Sequence, residues 1–427
     1  MSSVAGETVQ ACPACGTEIR MDGRFTVWCA GCDWNVDPEQ SREKLSRLAR
    51  AQRALARRHG EKLLAELTAG GTLRARRDAS SLLAYAFALA VHALTLALAA
   101  GGIWFLIEGW GGWGMVPGVF LLALGWSLRP RLPRLPEDGP VLTRADAPEL
   151  FALVDEVAHV AGTRGVDAIV VDGRFNASVM SYGVRGRRRL TLGLPLWETL
   201  TPQQRIALLG HELGHYSNGD TRHGRVVAGA LRSLTTWHYF FLPIADPEPL
   251  EVVVNLLYIV PRWLVLGTLM LLDRLTLRAT QRAEYLADRM AARVGSTQAA
   301  VELMDRLLVS DSAAVALHRE VNTAALRGPR GARNDTRTDG LWERLAADMA
   351  SVPEHERERQ RRAGALRGHS VDATHPPTHL RHACLLIGAP TPPAVVPGEA
   401  RESRIAEELA DARAKVARRI IRDGFDG

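Results

Sequence analysis

The stretch LLGHELGHYSNGD, residues 208–220, sets His211 and His215 four positions apart with Glu212 beside the first. On a helix, residues four apart share a face, so both imidazoles can direct a nitrogen at one metal ion. Glu212 is then placed to take a proton from a metal-activated water without itself filling a coordination position. Two exposed histidines on a soluble helix satisfy the same pattern, so the motif needs a further ligand before chemistry follows. A catalytic zinc takes three protein ligands and leaves a position open. Downstream, RAEYLADRMAARV, residues 282–294, offers Glu284 and Asp288, again four apart. Glu284 suits a metal ligand, and Asp288, one turn further on, suits a hydrogen-bond acceptor for a ligand histidine. A helix whose acidic residues face water reads the same way.

A second metal pattern lies near the N-terminus. Cys12 and Cys15, then Cys29 and Cys32, form two C-x2-C knuckles separated by thirteen residues, leaving Cys384 alone among the five cysteines. That spacing suits one tetrahedral, structural zinc held by four thiolates, with a redox-active pair as the alternative. Trp28 and Trp34 flank the second knuckle and are expected to form the miniature core of the ribbon. No apolar run follows a basic start, so no cleavable signal peptide is expected. The N-terminus is therefore expected in the reducing cytoplasm, where thiolates persist.

The elements that must position these residues can be read in turn. Thr201 and Pro202 supply an N-cap and a proline at the first helical position, opening the helix that carries HELGH, and Asn218 with Gly219 ends it. Before it, DAPELFALVDEVAHVAG (146–162) reads as an amphipathic helix and VDAIVVD (166–172) as a buried strand. ASVMSYG (177–183) and RRLTLG (188–193) read as two further strands. Residues 41–67 read as a basic helix, either a solvated spacer or a contact for anionic headgroups. Residues 325–369 are arginine-rich, and a mixed-charge helix over 400–423 follows a proline-rich link.

Apolar runs separate these parts. Residues 81–107 are almost free of charge and long enough to cross a hydrocarbon layer of ~30 Å. A shorter run, 114–128, completes a transmembrane hairpin, with Trp104, Trp110, Trp113 and Trp126 near its ends as interfacial aromatics. His92, within the first run, reads as a polar contact facing the bundle. Arg74, Arg76 and Arg77 precede the hairpin and Arg129, Arg131 and Arg134 follow it, which places both flanks in the cytoplasm. If His215 and Glu284 share one ion, the chain between them crosses the membrane an even number of times. Residues 226–244 and 252–272 are apolar enough to be considered as a second pair of spans, joined by ADPEPLE. Arg232 and His238 weaken the first of these, so two membrane-associated helices that never cross remain an alternative. The formal net charge of +6 favours membrane over nucleic acid, because the basic runs flank apolar segments and lack interleaved aromatics that stack bases.

Four segments, FNASVM, LLGHELGHYSNGD, RAEYLAD and THPPTHLR, occur in an order that resembles the HtpX-like membrane zinc metallopeptidases, whose motifs are similar to those of the CAAX prenyl proteases. The resemblance covers roughly residues 146–388 and the preceding hairpin. It implies that His211, His215 and Glu284 bind zinc, that Glu212 is the general base, and that Asp288 supports a ligand. It also implies that Asn176 and Ala177 precede an edge strand along which substrate backbone lies, and that His375, Pro376 and Arg381 lie near the active site. There His375 would donate to the oxyanion and Arg381 would brace a carboxylate, though both also fit purely structural roles. The N-terminal ribbon is not part of the usual pattern.

The expected fold class is α+β: a mainly helical zincin-type metallopeptidase domain with a small mixed sheet, transmembrane helices and a zinc ribbon. The expected divisions are the ribbon (1–40), a basic linker (41–78), a transmembrane hairpin (79–129), the peptidase domain (130–395) with a membrane hairpin inserted at about 225–275, and a helical tail (396–427). The expected function is zinc-dependent endopeptidase activity at the cytoplasmic membrane, with one catalytic and one structural Zn2+. Catalytic domain and ribbon would face the cytoplasm. Partners would be the lipid bilayer and protein or peptide substrates, chiefly membrane proteins, in quality control. The alternatives are a prenyl-protein protease, a non-catalytic scaffold using the ribbon, and a nucleic-acid-binding membrane regulator.

Overall fold

A computed structural model describes residues 8–38, 47–69, 79–137, 139–217, 221–326, 338–367 and 377–425. The chain forms two compact units, one containing residues 1–73, 135–217 and 281–427 and the other residues 74–134 and 218–280.

The first unit begins with β1 (Thr8–Ala11) and β2 (Glu18–Met21), an antiparallel hairpin, followed by α1 (Arg47–Thr68). In the second unit, α2 (Ala79–Glu108) and α3 (Met115–Ser127) form a helical hairpin. The chain then enters the body of the first unit with β3 (Val141–Leu142), α4 (Pro148–Val160), β4 (Ala168–Asp172), β5 (Ala177–Tyr182) and β6 (Arg187–Gly193). α5 (Leu194–Thr199) and α6 (Pro202–Ser217) follow. α7 (Thr221–Phe240) lies in the second unit, and α8 (Pro249–Gly295) runs through it and contributes its residues from Gln281 onward to the first. The first unit is completed by α9 (Thr297–Leu308), α10 (Ser310–Leu326), α11 (Leu341–Ala350), α12 (Glu354–Arg367), α13 (Thr378–Leu385), α14 (Glu399–Glu408) and α15 (Ala410–Asp423). The architecture is α+β and mainly helical.

The sheet of the first unit has the order β3-β4-β6-β5 and is mixed, with β4 parallel to β6 and β5 antiparallel to β6. Its period-two pattern sets Ile169, Val171, Leu190 and Leu192 on the core face, where they meet Phe151, Val154 and Val157 of α4 and Ile206 and Leu209 of α6. The segment read as a tail is built into this core: Ile405, Leu409, Val416, Ile420 and Phe425 are all buried there. Glu408 also accepts the N–H groups of Glu149 and Leu150 at 2.8 and 3.0 Å, satisfying the start of α4 with a negative charge.

The basic helix differs from a solvated spacer. Leu63 and Leu67 of α1 are buried against Tyr285, Leu380 and Cys384, and a Cβ on Gly60 would meet Leu380 Cδ1 at 2.9 Å. The leucines at helical spacing found a partner surface that the local sequence does not show.

In the second unit, glycines let α2 and α3 approach closely: a Cβ on Gly118 would lie 3.0 Å from the carbonyl oxygen of Gly102. Ala84, Ala88 and Val91 pack with Val227, Ala230 and Leu234, and His92 Nε2 lies 3.1 Å from the carbonyl oxygen of Val226, facing the bundle. Outward, Leu82, Leu89, Leu96, Ile103, Leu256, Val260 and Leu264 are exposed. Among the described residues, α2 and α8 are the helices long and apolar enough to cross a membrane. α3, with 13 residues, spans about 20 Å and falls short of a full crossing. α7, which covers most of the expected third span, does not reach that apolarity and carries Arg225 and Arg232.

Candidate metal centre

α6 starts where Thr201 and Gln204 exchange hydrogen bonds. The Gln204 N–H donates to Thr201 Oγ1 at 3.3 Å and the Thr201 N–H to Gln204 Oε1 at 3.1 Å. This capping box fixes the first turn, and Pro202 occupies a position that needs no N–H partner.

What brings α6 to α8 is a seam of small residues. Glycine precedes each histidine of HELGH, and both glycines face α8. A Cβ on Gly210 would lie 3.1 Å from Val294 Cβ and 3.2 Å from Ala291 Cα, and one on Gly214 3.0 Å from Ala287 Cα. At the far end, a Cβ on Gly295 would meet the backbone nitrogen of Ala207 at 2.7 Å. Side chains larger than these hold packed helices 8–10 Å apart or more, so the small residues allow a carboxylate on one helix to meet imidazoles on the other.

The result is a compact donor set. The ligand-capable atoms of His211, His215 and Glu284 all lie within 4.8 Å of one another. Glu284 Oε2 is 3.6 Å from His211 Nε2, and Glu284 Oε1 is 3.7 Å from His215 Nε2. The other nitrogen of His211, Nδ1, lies 3.0 Å from Asp288 Oδ1, which commits Nδ1–H as donor and leaves Nε2 free to bind metal. Burial pushes the His211 pKa down, favouring the neutral, ligating imidazole. Two imidazoles and a carboxylate at these separations fit a zinc with one open position.

Asp288 is fully buried, and Arg381 grips it with Nη2 to Oδ1 at 2.6 Å and Nε to Oδ2 at 2.8 Å. Burial opposes the charged carboxylate, but the Arg381 cation beside it prevails and holds the Asp288 pKa well below the usual carboxylate range. Arg381 Nη2 also lies 3.5 Å from Glu284 Oε2, so one guanidinium neutralises two acidic groups. Glu212 is buried beside this cluster. Its burial, reinforced by the Glu284 charge, pushes its pKa up to about 8, and a divalent cation among the three ligands would draw it back down.

The sheet presents its edge to this helix. The Gly193 N–H donates to the carbonyl of Asn176 at 2.9 Å, so the even-numbered residues of β5 bond to β6 and the odd-numbered ones turn their backbone groups to the open edge. The Ala177 N–H is taken by Asn176 Oδ1 at 2.8 Å, and the Val179 N–H bonds Glu212. Asn176 and Ala177 therefore sit at the start of a strand that, among the described residues, forms the edge of the sheet and turns its outer side to the HELGH glutamate. His375 and Pro376, like Asn218 and Gly219, lie outside the described residues. The sequence motifs brought His211, Glu212, His215, Glu284, Asp288 and Arg381 together; they did not indicate the Val179 amide, which has no side-chain signature. Gly210 and Gly214 had one, a glycine recurring at helical spacing on the ligand-bearing helix.

A second donor set lies in the N-terminal cluster of Cys12, Cys15, Cys29 and Cys32. Cys12 Sγ is 3.7 Å from Cys32 Sγ, and Cys15 Sγ is 3.6 Å from Cys29 Sγ. Four sulfurs bound tetrahedrally at the usual zinc distance are separated by ~3.8 Å, whereas a disulfide needs ~2.0 Å. The thiols are free, and Gly16, Asp33 and Asn35 take the positive φ that the tight knuckle turns require. Trp34 packs in the miniature core with Ile19, but Trp28 turns away from it. Trp28 is 2% exposed, stacked on His355 of α12 at 6.1 Å, with the Arg362 guanidinium 5.2 Å from its ring. Arg362 donates to the Ala30 carbonyl at 2.7 Å and Arg359 to the Val36 carbonyl at 2.9 Å.

Compared with known proteins, residues 144–386 match the family model described as peptidase family M48. No curated protein and no solved structure matches the chain.

Proposed function

The chain belongs to peptidase family M48, and from that premise we propose that it is a membrane-anchored zinc endopeptidase acting on extended segments of membrane proteins. The family makes it a zinc metallopeptidase; the anchoring, the substrates and the residue roles are our reading. The observation that carries the reading is the convergence of His211, His215 and Glu284 beside a buried Glu212, within the matched residues. In this reading the three side chains hold the zinc, which when bound would polarise the scissile carbonyl and acidify the attacking water. Glu212 accepts the water's proton and returns it to the leaving amine. Asp288 fixes the tautomer of His211, and Arg381 fixes Asp288. In this reading the substrate backbone aligns on the edge of β5 by strand addition, displacing the contacts that Asn176 Oδ1 and Glu212 make with the Ala177 and Val179 N–H groups.

The apolar surfaces of α2 and α8 support anchoring in a bilayer; in this reading the shorter α3 and the more polar α7 return the chain to the side it left, so that the flanking arginines and the catalytic unit share the cytoplasmic face. A catalytic domain on that side, working beside the bilayer, suits the removal of damaged membrane proteins. The four cysteines hold a second zinc in this reading, and the burial of Trp28 on α12 makes the ribbon a brace of the catalytic unit rather than a free recruiting module.

The test is cleavage of casein by the purified full chain in detergent. Wild-type protein cleaves it and Glu212→Gln retains zinc but loses on the order of 10^2- to 10^4-fold in rate. Cleavage of a prenylated peptide but not of casein would move the assignment to the prenyl-protein proteases. Undiminished cleavage by Glu212→Gln would remove Glu212 from its role.

A further inference from the structure

Gly60, Leu63, Leu64 and Leu67 recur at helical spacing and form one face of α1. That face is covered by α8 and α13. Leu63 and Leu67 are buried against Tyr285, Leu380 and Cys384, with Leu64 and Ile387 packed at the margin. At Gly60 the three helices crowd together: a Cβ there would lie 2.9 Å from Leu380 Cδ1, 3.4 Å from Tyr285 Oη and 3.8 Å from Pro377 Cδ. Tyr285 is fully buried, and its hydroxyl donates to the Gly60 carbonyl at 3.4 Å. A glycine is therefore needed for α1 to reach both neighbours at once.

The residues that α1 touches are chain neighbours of the candidate metal centre. Tyr285 directly follows Glu284, Leu380 directly precedes Arg381, and Cys384 lies one turn beyond Arg381. Arg381 on α13 grips Asp288 on α8 at 2.6 Å, and Asp288 in turn lies 3.0 Å from His211 Nδ1. α1 thus packs on both helices that carry this ion pair, beside the ligand Glu284. Yet α1 lies outside the stretch that matches the family, 144–386.

On the metallopeptidase reading above, we propose that α1 is a positioning strap for the catalytic metal, with Gly60 and Tyr285 as positioning residues. They touch neither metal nor substrate. They act by fixing where Glu284 stands on α8 and where Arg381 stands on α13. A small displacement is enough to matter, because workable ligand distances lie within about 0.2 Å of ideal.

The experiment is a chelator titration of the full chain in detergent, reading the zinc retained per chain beside thermal unfolding. Gly60→Val places a branched side chain where one methyl is already crowded and should lower affinity at the catalytic site by on the order of 10- to 100-fold, as when metal ligands lose their orienting partners. The cysteine-held zinc should be retained. Ala65→Val makes a β-branched substitution at an exposed position of the same helix and should leave both zinc ions in place. Adding Leu380→Ala to Gly60→Val vacates the space and should recover affinity toward the wild-type value, a coupling that general destabilisation would not produce. Should Gly60→Val not fold, Gly60→Ala should show a smaller loss of the same kind, since its methyl meets the end of the Leu380 side chain. A lowered Tm with wild-type affinity at the catalytic site, or equal losses in Ala65→Val, would overturn the strap. The expected affinities in a wild type that cleaves no casein would support the strap and remove the peptidase reading. A wild type holding the cysteine zinc alone would overturn both.

Discussion

Replacing Gly214 by alanine separates two effects that usually travel together. In a helix interior the change favours folding by about 1 kcal/mol, because glycine has more backbone freedom to lose. Here the added methyl would sit 3.0 Å from Ala287 Cα and 3.1 Å from Met290 Cβ. Carbon atoms pack at about 3.5–4.0 Å, so α6 and α8 must separate locally by about 0.5 Å. Overpacking of this kind costs about 1–3 kcal/mol, leaving a net loss of roughly 0–2 kcal/mol. The metal centre is less forgiving, because workable ligand distances lie within about 0.2 Å of ideal. His211 and His215 ride on one helix and Glu284 on the other, so the separation opens the donor set directly. We expect zinc affinity at this site to fall by on the order of 10- to 100-fold, as when ligands lose their orienting partners, with only a small drop in Tm. Competition with a chromophoric chelator measures the first and thermal unfolding the second. Gly364→Ala is the control, since its methyl meets nothing closer than Leu308 Cδ2 at 3.6 Å, and it should leave zinc affinity unchanged. Wild-type zinc affinity in Gly214→Ala would refute the claim that small residues at this seam set the metal geometry.

Two further outcomes follow from buried partners. Asp288→Asn removes the counter-charge of a buried arginine and should destabilise the fold by about 3–5 kcal/mol in urea unfolding, with a weakened catalytic zinc; wild-type stability would contradict the ion pair's role. Trp28→Ala should loosen the ribbon from α12 at a cost of about 3–5 kcal/mol, seen as faster amide exchange across residues 354–367 with the catalytic zinc still bound, and unchanged exchange there would exclude the brace.

The site was legible in sequence because its chemistry is local in pattern: two histidines and two carboxylates at helical spacing declare one face each. The strands of the sheet were legible for the same reason, from alternation over a few residues. The packing of Leu63 and Leu67 against Tyr285 and Leu380 was not, since amphipathic spacing names a face without naming what covers it. The capture of Trp28 by His355 and Arg362 was hidden similarly, because a tryptophan beside a zinc knuckle fits the core of a small module equally well. The tail looked separate because its charges dominate the composition, yet Ile405, Leu409, Val416 and Ile420 recur on one side of its two helices and close the main core. The apolar runs fold as the long helices α2 and α8, whereas α7, where arginines interrupt the run, is less apolar than either.

The central claim is that two distinct zinc sites exist and that the one built from α6 and α8 performs the cleavage. Elemental analysis of the purified full chain and of Glu284→Ala, paired with a casein assay on the same samples, tests it most directly. Wild type should carry about two zinc ions per chain and cleave casein, and the variant should carry about one, held by the cysteines, without cleavage. Two zinc ions and undiminished cleavage in Glu284→Ala would contradict it.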